Sequence, residues 1–242
     1  MSHILLEVCV EDASGLQAAI DGGADRIELC SALSVGGLTP SPGLMVLAGK
    51  ADIPVYAMIR PRPGDFVFDA SDIAVMRVEI DAARAAGLAG VVLGANRLDG
   101  ALDKEALKEL VDHAQGLGLT LHRAFDLVPD FAEAVETAVD LGFERILTSG
   151  GAKRAPDGID HLAAIIKHAR GRISIMPGSG VTLETVGELL AHLAVTEVHS
   201  SCSLEKPARD ARLVSLGFVS PSARQTDVQM VQALKARLVA AP

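Results

Sequence analysis

Short apolar runs alternate with longer, alanine-rich stretches along the whole chain, at intervals of roughly 20 to 30 residues. Runs rich in β-branched and apolar residues predict strands, and the longer stretches between them predict helices. The chain contains eight such runs, and we predict strands at 5–10, 26–30, 55–60, 90–93, 120–122, 145–149, 173–177 and 197–199. Eight strand–helix units in about 250 residues are typical of a (β/α)8 TIM barrel of the α/β class, the fold that this pattern predicts.

Helices are predicted between the strands, where apolar residues recur with a helical period. The main ones lie at 14–21, 72–86, 103–115, 130–141, 159–169 and 183–193. Asp, Ser or Thr begins several of these segments, as expected for helix N-caps. Glycine follows four helix ends, at Gly22, Gly87, Gly116 and Gly142, where a left-handed residue is favoured. An open doubly wound sheet is the competing fold, but the GxGxxG sequence that usually follows its first strand is missing.

Polar residues occupy alternate positions in several predicted strands. In the first strand the apolar set is Leu6, Val8 and Val10, and the opposing set contains Glu7 and Cys9. The polar sets of the second, third and fifth strands contain Arg26, Glu28, Cys30, Tyr56, Met58, Arg60, Thr120 and His122. Burying the charged members against the outer helices would cost several kcal/mol each unless they were paired, so we expect the polar sets to face the lumen. A site is then expected where the strands end.

Composition limits the possible classes of protein. The 242 residues contain 22 Lys and Arg against 31 Asp and Glu, a formal net charge of −9, and 49% of them are hydrophobic. Such an apolar fraction excludes a disordered chain. An acidic chain with 3% aromatic residues has neither the charge nor the stacking surfaces of a nucleic-acid binder. We expect one domain over 1–242, with 200–227 as an extended loop and 228–239 as a final helix.

The first twelve residues, MSHILLEVCVED, form a short apolar run that carries Glu7 and has no basic leader. This pattern predicts neither a signal peptide nor a membrane span, so we expect a cytoplasmic protein without a membrane partner. The three cysteines, Cys9, Cys30 and Cys202, show no CxxC spacing, which argues against a disulfide framework and a zinc knuckle.

Residues at the predicted strand ends indicate a site for a small anion and for proton transfer. Glycine-rich turns ahead of helices bind anions, and arginines bind carboxylates or phosphates through two nitrogens. The anion-binding candidates are Arg60, Arg62, Arg123, Ser149, Gly150, Gly178, Gly180 and His199. The candidates for acid–base catalysis are Glu7, Glu28, His122 and Asp126. These residues fit a metal-independent enzyme that acts on a small phosphorylated or carboxylated metabolite.

Several common catalytic motifs are missing from the chain. It contains no Walker A loop, GxSxG elbow or HExxH motif, in addition to the missing dinucleotide fingerprint. The sequence therefore indicates no nucleotide or flavin cofactor, serine nucleophile or zincin centre. Ordinary structural roles also remain open for single residues, such as an ion pair between Glu28 and Arg60 in the lumen.

Five segments carry long motifs in a fixed order: GADRIELCSALSVGGLTPS (23–41), MIRPRPGDFVF (58–68), LHRAFD (121–126), ILTSGGA (146–152) and IMPGSGV (175–181). With them the chain resembles the copper homeostasis protein family CutC over residues 4–203. The resemblance implies a (β/α)8 barrel that is cytoplasmic and forms a homodimer or a larger homo-oligomer. It also implies copper binding, with Cys9 and Cys30 as the counterparts of the family's proposed cysteine pair.

The residues themselves are compatible with a copper site. Cys9 and Cys30 fall at matching lumen positions of adjacent predicted strands, about 4.8 Å apart in the hydrogen-bonding direction, so two thiolates could share a Cu(I) ion. Met58 and His122 could supply auxiliary thioether and imidazole ligands. Buried free cysteines also occur as plain apolar residues. Copper binding and a metal-independent enzyme are therefore the two functions that the sequence leaves open.

Overall fold

Eight parallel strands form a nearly closed barrel in the computed structural model, which describes residues 4–240. From β1 to β7 the strands are hydrogen-bonded to one another in chain order, and β8 pairs with β1. A strand is found at each predicted position, which confirms the (β/α)8 barrel. The strands are β1 (Leu5–Val10), β2 (Arg26–Leu29), β3 (Val55–Met58), β4 (Gly90–Leu93), β5 (Gly118–Leu121), β6 (Arg145–Thr148), β7 (Ser174–Pro177) and β8 (Glu197–Ser200).

Helices alternate with the strands and cover the outside of the barrel. The side chains of Asp12, Asp103 and Asp130 cap three of them by accepting hydrogen bonds from first-turn N–H groups. Asp69 and Asp72 form a reciprocal capping box at the start of another. In chain order the helices are α1 (Ala13–Asp21), α2 (Pro42–Ala48), α3 (Ala70–Ala85), α4 (Lys104–His113), α5 (Phe131–Asp140), α6 (Ile159–Ala169), α7 (Val186–His192), α8 (Ala211–Ser215) and α9 (Val228–Val239).

The alternation predicted within the strands is confirmed. Leu6, Val8 and Val10 are fully buried in the apolar layer between the barrel and its helices. Glu7, on the other face of β1, is equally buried, but its carboxylate contacts His199 of β8. The polar set of β1 therefore faces the lumen, away from the helices.

Glycine follows the helix ends as predicted, with one exception. Gly87, Gly116 and Gly142 have positive φ angles of 74°, 87° and 82°. After α1, however, the left-handed residue is Gly23, with a φ of 84°, whereas Gly22 is still helical. Gly22 is needed for another reason, because a Cβ there would come within 2.4 Å of a valine side chain of α9.

The segment 200–227, which the sequence predicts to be an extended loop, contains a strand pair instead. Strands β9 (Ser203–Pro207) and β10 (Ser222–Thr226) form an antiparallel ladder, with α8 between them. Most of their side chains are exposed, so this segment lacks the apolar alternation that identifies a half-buried strand in a sequence. Helix α9 follows and packs against α1 and β1.

Within residues 4–240, no helix is long and apolar enough to cross a membrane. The prediction made for the N-terminus concerns residues 1–12, of which 1–3 lie outside the described residues. The apolar part of that run forms β1, in the wall of the barrel.

Candidate functional site

A buried ion network fills the lumen near the N-terminal ends of the strands. Arg26 of β2 pairs with Glu7 of β1 and with Glu197 of β8. Arg145 lies 3.4 Å from the same Glu197 carboxylate, and its guanidinium is 4.8 Å from the ring of Tyr56. The Arg145 side chain is 12% exposed and the other four residues are buried. We call these five residues the basal network.

Glu7 connects the basal network to the mouth of the barrel. Its Oε1 atom accepts a hydrogen bond from Nδ1 of His199 at 2.8 Å. Burial opposes the ionisation of Glu7, but Arg26 and His199 outweigh burial and lower its pKa to about 2. Glu7 is therefore a permanent carboxylate that orients His199, which does not suit the role of an acid–base catalyst near neutral pH.

A thiol, an imidazole and a carboxylate meet above Glu7. Ligand atoms of Cys9, Glu28 and His199 all lie within 4.8 Å of one another, and all three residues are buried. The strand register brings them together, because Cys9 is paired with Glu28 of β2 and Glu7 is paired with His199 of β8. We call Cys9, Glu28 and His199 the mouth cluster.

The sequence predicts that Cys30 lies opposite Cys9 on the neighbouring strand, but the structure does not place it there. In the observed register Cys9 pairs with Glu28, so Cys30 lies one lumen-facing position farther on, just beyond the end of β2. Neighbouring barrel strands are staggered, and this stagger is not visible in the strand sequences themselves. Cys30 is fully buried in a small cluster with Met58, and its Sγ donates to Oε2 of Glu28 at 3.5 Å.

Burial and mutual contacts set the protonation of these groups. Burial raises the pKa of the Glu28 carboxyl, and His199 offsets this only in part. Burial also raises the pKa of Cys30 well above its usual value, and the charge of Glu28 adds to this effect. Burial lowers the pKa of His199, but contacts with Cys9, Glu28 and Glu7 outweigh burial and raise it well above normal. Cys30 therefore keeps its thiol proton, and His199 is charged near neutral pH.

A second polar group lies at the ends of β3 and β5. The rings of His122 and Phe66 are 4.8 Å apart, and the guanidinium of Arg60 is also 4.8 Å from the Phe66 ring. Nδ1 of His122 accepts a hydrogen bond from the N–H of Ala124 at 3.1 Å, which places the ring proton on Nε2. Burial and the charge of Arg60 lower the pKa of His122 to about 3, so this imidazole is neutral.

Arg60 holds two loops at the barrel mouth. Its Nη1 donates to the carbonyl oxygens of Val35 and Gly37, at 2.8 Å and 3.1 Å, and its Nη2 donates to that of Gly64 at 2.8 Å. Arg60 makes no ion pair with a carboxylate in the part of the chain that the structure describes. Its guanidinium thus donates to carbonyl oxygens and packs against the Phe66 ring, and the ion pair with Glu28 that the sequence leaves open is not formed.

The predicted anion corner after β6 is occupied by the protein's own groups. Asp126 accepts hydrogen bonds from Nε of Arg123 at 2.7 Å and from the N–H of Ser149 at 3.0 Å. Oγ of Ser149 accepts from Nη2 of Arg123 at 2.7 Å, and the N–H of Gly150 donates to Oγ1 of Thr148 at 2.9 Å. These residues therefore brace the loop after β6, where Nε and Nη2 of Arg123 and the backbone N–H of Ser149 are already engaged.

Gly178 and Gly180 lie at the end of β7. Gly180 lines a cavity of about 410 Å³, the smaller of the two cavities described at the barrel mouth. The N–H of Gly178 donates to a β6 carbonyl at 3.0 Å, and a Cβ at this position would come within 2.3 Å of Leu147. Gly180 has a φ of 72°, and a Cβ at this position would lie 2.6 Å from Nε of Arg154. Both glycines thus allow close packing at this edge of the mouth.

Arg62, another predicted anion-binding residue, is held by carboxylates outside the barrel mouth. Its Nε pairs with Asp72 at 3.0 Å and its Nη1 with Asp65 at 3.1 Å. It lines neither of the two mouth cavities. The capping carboxylate of Asp72 at the start of α3 draws this side chain outward, whereas Arg60 extends into the lumen.

The mouth cluster, Arg60 and His122 line one cavity of about 1130 Å³. Met58 and Arg123 line it as well, and strands β9 and β10 with their connecting segment form one of its walls. Polar residues of β1, β2 and β8 and from the ends of β3 and β5 therefore share a single space. A cavity of this volume accommodates a small metabolite as well as a metal ion.

Sequence reasoning missed the partners of the central residues. Arg26 and Tyr56 belong to the polar strand sets, which predicts their place in the lumen but not what they contact. Glu197 and Arg145 are the first residues of their strands and carry no motif signal. His199 is predicted as an anion-binding residue, whereas the structure places it between the carboxylates of Glu7 and Glu28.

Comparison with known proteins places this barrel in a family. The CutC family model matches residues 4–204. The chain belongs to the CutC family. CutC family proteins of Sinorhizobium medicae and Rhizobium meliloti are 66% and 65% identical to it, each over 98% of this chain and 97% of the relative. A crystal structure presented as a copper homeostasis protein CutC of Streptococcus agalactiae is 35% identical, with a TM-score of 0.78, and the match covers 82% of this chain and 98% of that one.

Proposed function

We propose that this CutC family protein binds Cu(I) as its cargo at the mouth cluster and takes part in copper handling. The observation that carries the proposal is the meeting of Cys9, His199 and Glu28 within 4.8 Å. Thiolate sulfur and imidazole nitrogen are donors that Cu(I) prefers. The name of the streptococcal relative, a copper homeostasis protein, supports the same assignment.

The contact with Glu7 suits His199 to ligand binding. The hydrogen bond fixes Nδ1 as a donor, which leaves Nε2 directed toward Glu28, whose Oε2 is 3.8 Å away. A carboxylate behind the far nitrogen is a common partner of metal-bound histidine, because it orients the ring and raises its basicity. A cation bound at Nε2 displaces the proton that this atom otherwise carries.

Glu28 adds a charge reason for a cation at this place. Its Oε1 is buried and has no hydrogen-bond partner within residues 4–240. An unsatisfied buried carboxylate oxygen costs free energy, and a neighbouring cation removes that cost. Cys30 and Met58 are soft donors close by, but neither belongs to the mouth cluster. We therefore rank Cys9 and His199 as the main ligands, with Cys30 and Met58 behind them.

Anaerobic titration of the reduced protein with Cu(I), in competition with a chromophoric chelator, tests this proposal. We expect the wild type to bind one equivalent. Cys9→Ser and His199→Gln each remove a ligand, so we expect a loss of affinity larger than the roughly 10- to 100-fold that removal of an outer partner costs. If Cys9→Ser binds Cu(I) as tightly as the wild type, the mouth cluster is not the copper site.

The other two cysteines provide matched variants for the same titration. Cys202→Ser changes a buried thiol outside the mouth cluster, so we expect its affinity to equal that of the wild type. Cys30→Ser tests the ligand pair that the family resemblance implies. A loss as large as that of Cys9→Ser would make Cys30 a main ligand and would overturn the ranking of Cys9 and His199 above it.

We further propose that the protein works in the cytoplasm as a homodimer or a larger homo-oligomer, as the family resemblance implies. Exposed apolar side chains on the outer faces of α2 and α3, at Val46, Val75 and Val78, support self-association. Light scattering on the purified protein tests the assembly, and cell fractionation tests the location. A monomer at micromolar concentration, or recovery outside the cytoplasmic fraction, would contradict the respective proposal.

A further inference from the structure

Two buried hydrogen-bond donors at the ends of β3 and β5 have no acceptor. Arg60 is 4% exposed and His122 is 3% exposed. Nε of Arg60 and Nε2 of His122 are buried, and neither atom has a hydrogen-bond partner among the described residues. Since Nδ1 of His122 accepts from the N–H of Ala124, the proton is on Nε2 and this atom is a donor. Buried donors without acceptors are rare in folded proteins.

Among the described residues, no carboxylate forms an ion pair with Arg60 or His122, although the charges of Asp65 and Asp126 act on them from a greater distance. Both side chains pack against Phe66, and the charge of Arg60 acts on His122 and lowers its pKa. The carbonyl oxygens that hold Arg60 carry only partial charges. Burying a full charge without a partner of opposite charge is costly, and a bound anion would supply that partner.

The other carboxylates that line the same cavity are committed elsewhere. Glu11 accepts a hydrogen bond from the N–H of Leu33 at 2.6 Å, and Asp12 caps α1. Glu28 belongs to the mouth cluster, where it faces His199. Arg209, from the segment that follows β9, adds a further positive charge to the lining of this cavity. An anion that reaches Arg60 and His122 must therefore come from solution.

We propose that Arg60 and His122 bind the oxyanion group, carboxylate or phosphate, of a small organic metabolite. The oxyanion accepts hydrogen bonds from Nε of Arg60 and Nε2 of His122, and the cavity of about 1130 Å³ holds the remainder of the molecule. This site uses Arg60, one of the predicted anion-binding residues, and not the glycine-rich segment after β6, where Nε and Nη2 of Arg123 are already engaged. It is also separate from the copper ligands, so each site can be tested without the other.

Nitrogen-15 NMR of histidine-labelled protein observes Nε2 of His122 directly. The His122→Phe variant identifies the resonance, because it removes that signal and keeps an aromatic ring against Phe66. Acetate and inorganic phosphate are the probes for the two oxyanion classes, and acetamide is the neutral control. We expect acetate or phosphate, but not acetamide, to shift the His122 signal saturably, and the stronger of the two probes identifies the class of metabolite.

Two arginines two residues apart give a matched pair of variants. Arg60→Lys keeps the charge but removes Nε, and we expect it to weaken binding of the better probe by about 10-fold or more, as loss of a charged hydrogen bond predicts. Arg62→Lys changes a side chain outside the cavity and should bind as the wild type does. If Arg60→Lys does not fold, His122→Phe and calorimetry of the same probes measure the effect of losing the other donor.

The outcomes separate this proposal from the copper proposal. No saturable shift at His122 with either anion, or equal shifts with acetamide, overturns the anion site. Unchanged affinity in both Arg60→Lys and His122→Phe overturns it as well. Cu(I) affinity is measured on the same two variants, and we expect it to equal that of the wild type because neither residue belongs to the mouth cluster.

Discussion

His199 donates a hydrogen bond from Nδ1 to Oε1 of Glu7 at 2.8 Å, across the ladder that joins β8 to β1. Because Glu7 also pairs with Arg26, one carboxylate serves both the basal network and the mouth cluster. The stability of the barrel and the orientation of a candidate ligand therefore depend on the same side chain. Substitutions at Glu7 should affect both properties, and substitutions elsewhere should separate them.

Glu7→Gln should strongly destabilise the fold. The change leaves the buried Arg26 with one carboxylate instead of two and removes the charge that faces His199, and breaking a buried ion pair costs about 3–5 kcal/mol. Urea unfolding measures the change in the free energy of unfolding. Glu136→Gln is the control, because Glu136 and its partner Arg172 lie at the surface and their ion pair should contribute little. Equal stability of the two variants would show that the basal network does not hold the barrel together.

The same substitution should weaken Cu(I) binding although Glu7 is not a proposed ligand. A glutamine behind Nδ1 of His199 no longer carries the charge that raises the basicity of the ring, and such changes cost about 10- to 100-fold in metal affinity. Chelator competition measures the effect. Glu197→Gln also removes a carboxylate from Arg26 but does not contact His199, so its affinity should stay close to that of the wild type. Equal losses in both variants would point to general disruption of the barrel instead.

His122 should make the fold sensitive to acid. Its pKa is about 3 in the folded protein, against about 6.5 in an unfolded chain, so the unfolded state takes up the proton first as the pH falls. The folded state should lose about 1.4 kcal/mol of stability for each pH unit below 6.5, until the pH approaches the folded value.

The comparison with His122→Phe isolates this contribution. Between pH 7 and pH 5 the wild type should lose about 2 kcal/mol more of its free energy of unfolding than the variant does. Denaturant unfolding at a series of pH values gives both curves. Parallel curves would mean that the imidazole is not held neutral by burial and Arg60.

Gly90→Ala should displace the ring of Tyr56 from the basal network. A Cβ at this position would lie 2.2 Å from that ring and 2.5 Å from the backbone oxygen of Gly118. Overpacking of this kind costs about 1–3 kcal/mol, and more where the backbone must move. Gly43→Ala in α2 is the control, because its nearest neighbour would be 4.0 Å away and alanine favours the helix. Thermal unfolding of both variants shows whether the contact with Tyr56 matters.

The sequence predicts which residues face the lumen, but not which of them touch. Side chains alternate with a period of two along any strand, so Glu7, Glu28 and His122 are placed correctly from local pattern alone. Contacts between strands depend on their stagger around the barrel, which pairs Cys9 with Glu28 and moves Cys30 one position away.

Loop side chains are harder to predict than strand side chains. Arg60 and Arg62 are two residues apart and look alike in the sequence, yet one enters the mouth and the other pairs with Asp72 of α3. Ser149 lies in a glycine-rich segment that suggests an anion site, but it is hydrogen-bonded to Asp126 and Arg123. Only the three-dimensional arrangement shows which polar groups are already used.

The basal network also affects how a ligand can enter and leave the barrel. Because Arg26, Glu197 and their neighbours are buried in the lumen near the N-terminal ends of the strands, we expect a ligand to reach the interior from the opposite end. It would then enter and leave past the rim that β9 and β10 build on one side. An occupant of the deep floor would leave only after anything lodged nearer the rim, so the order of loading would dictate the order of release.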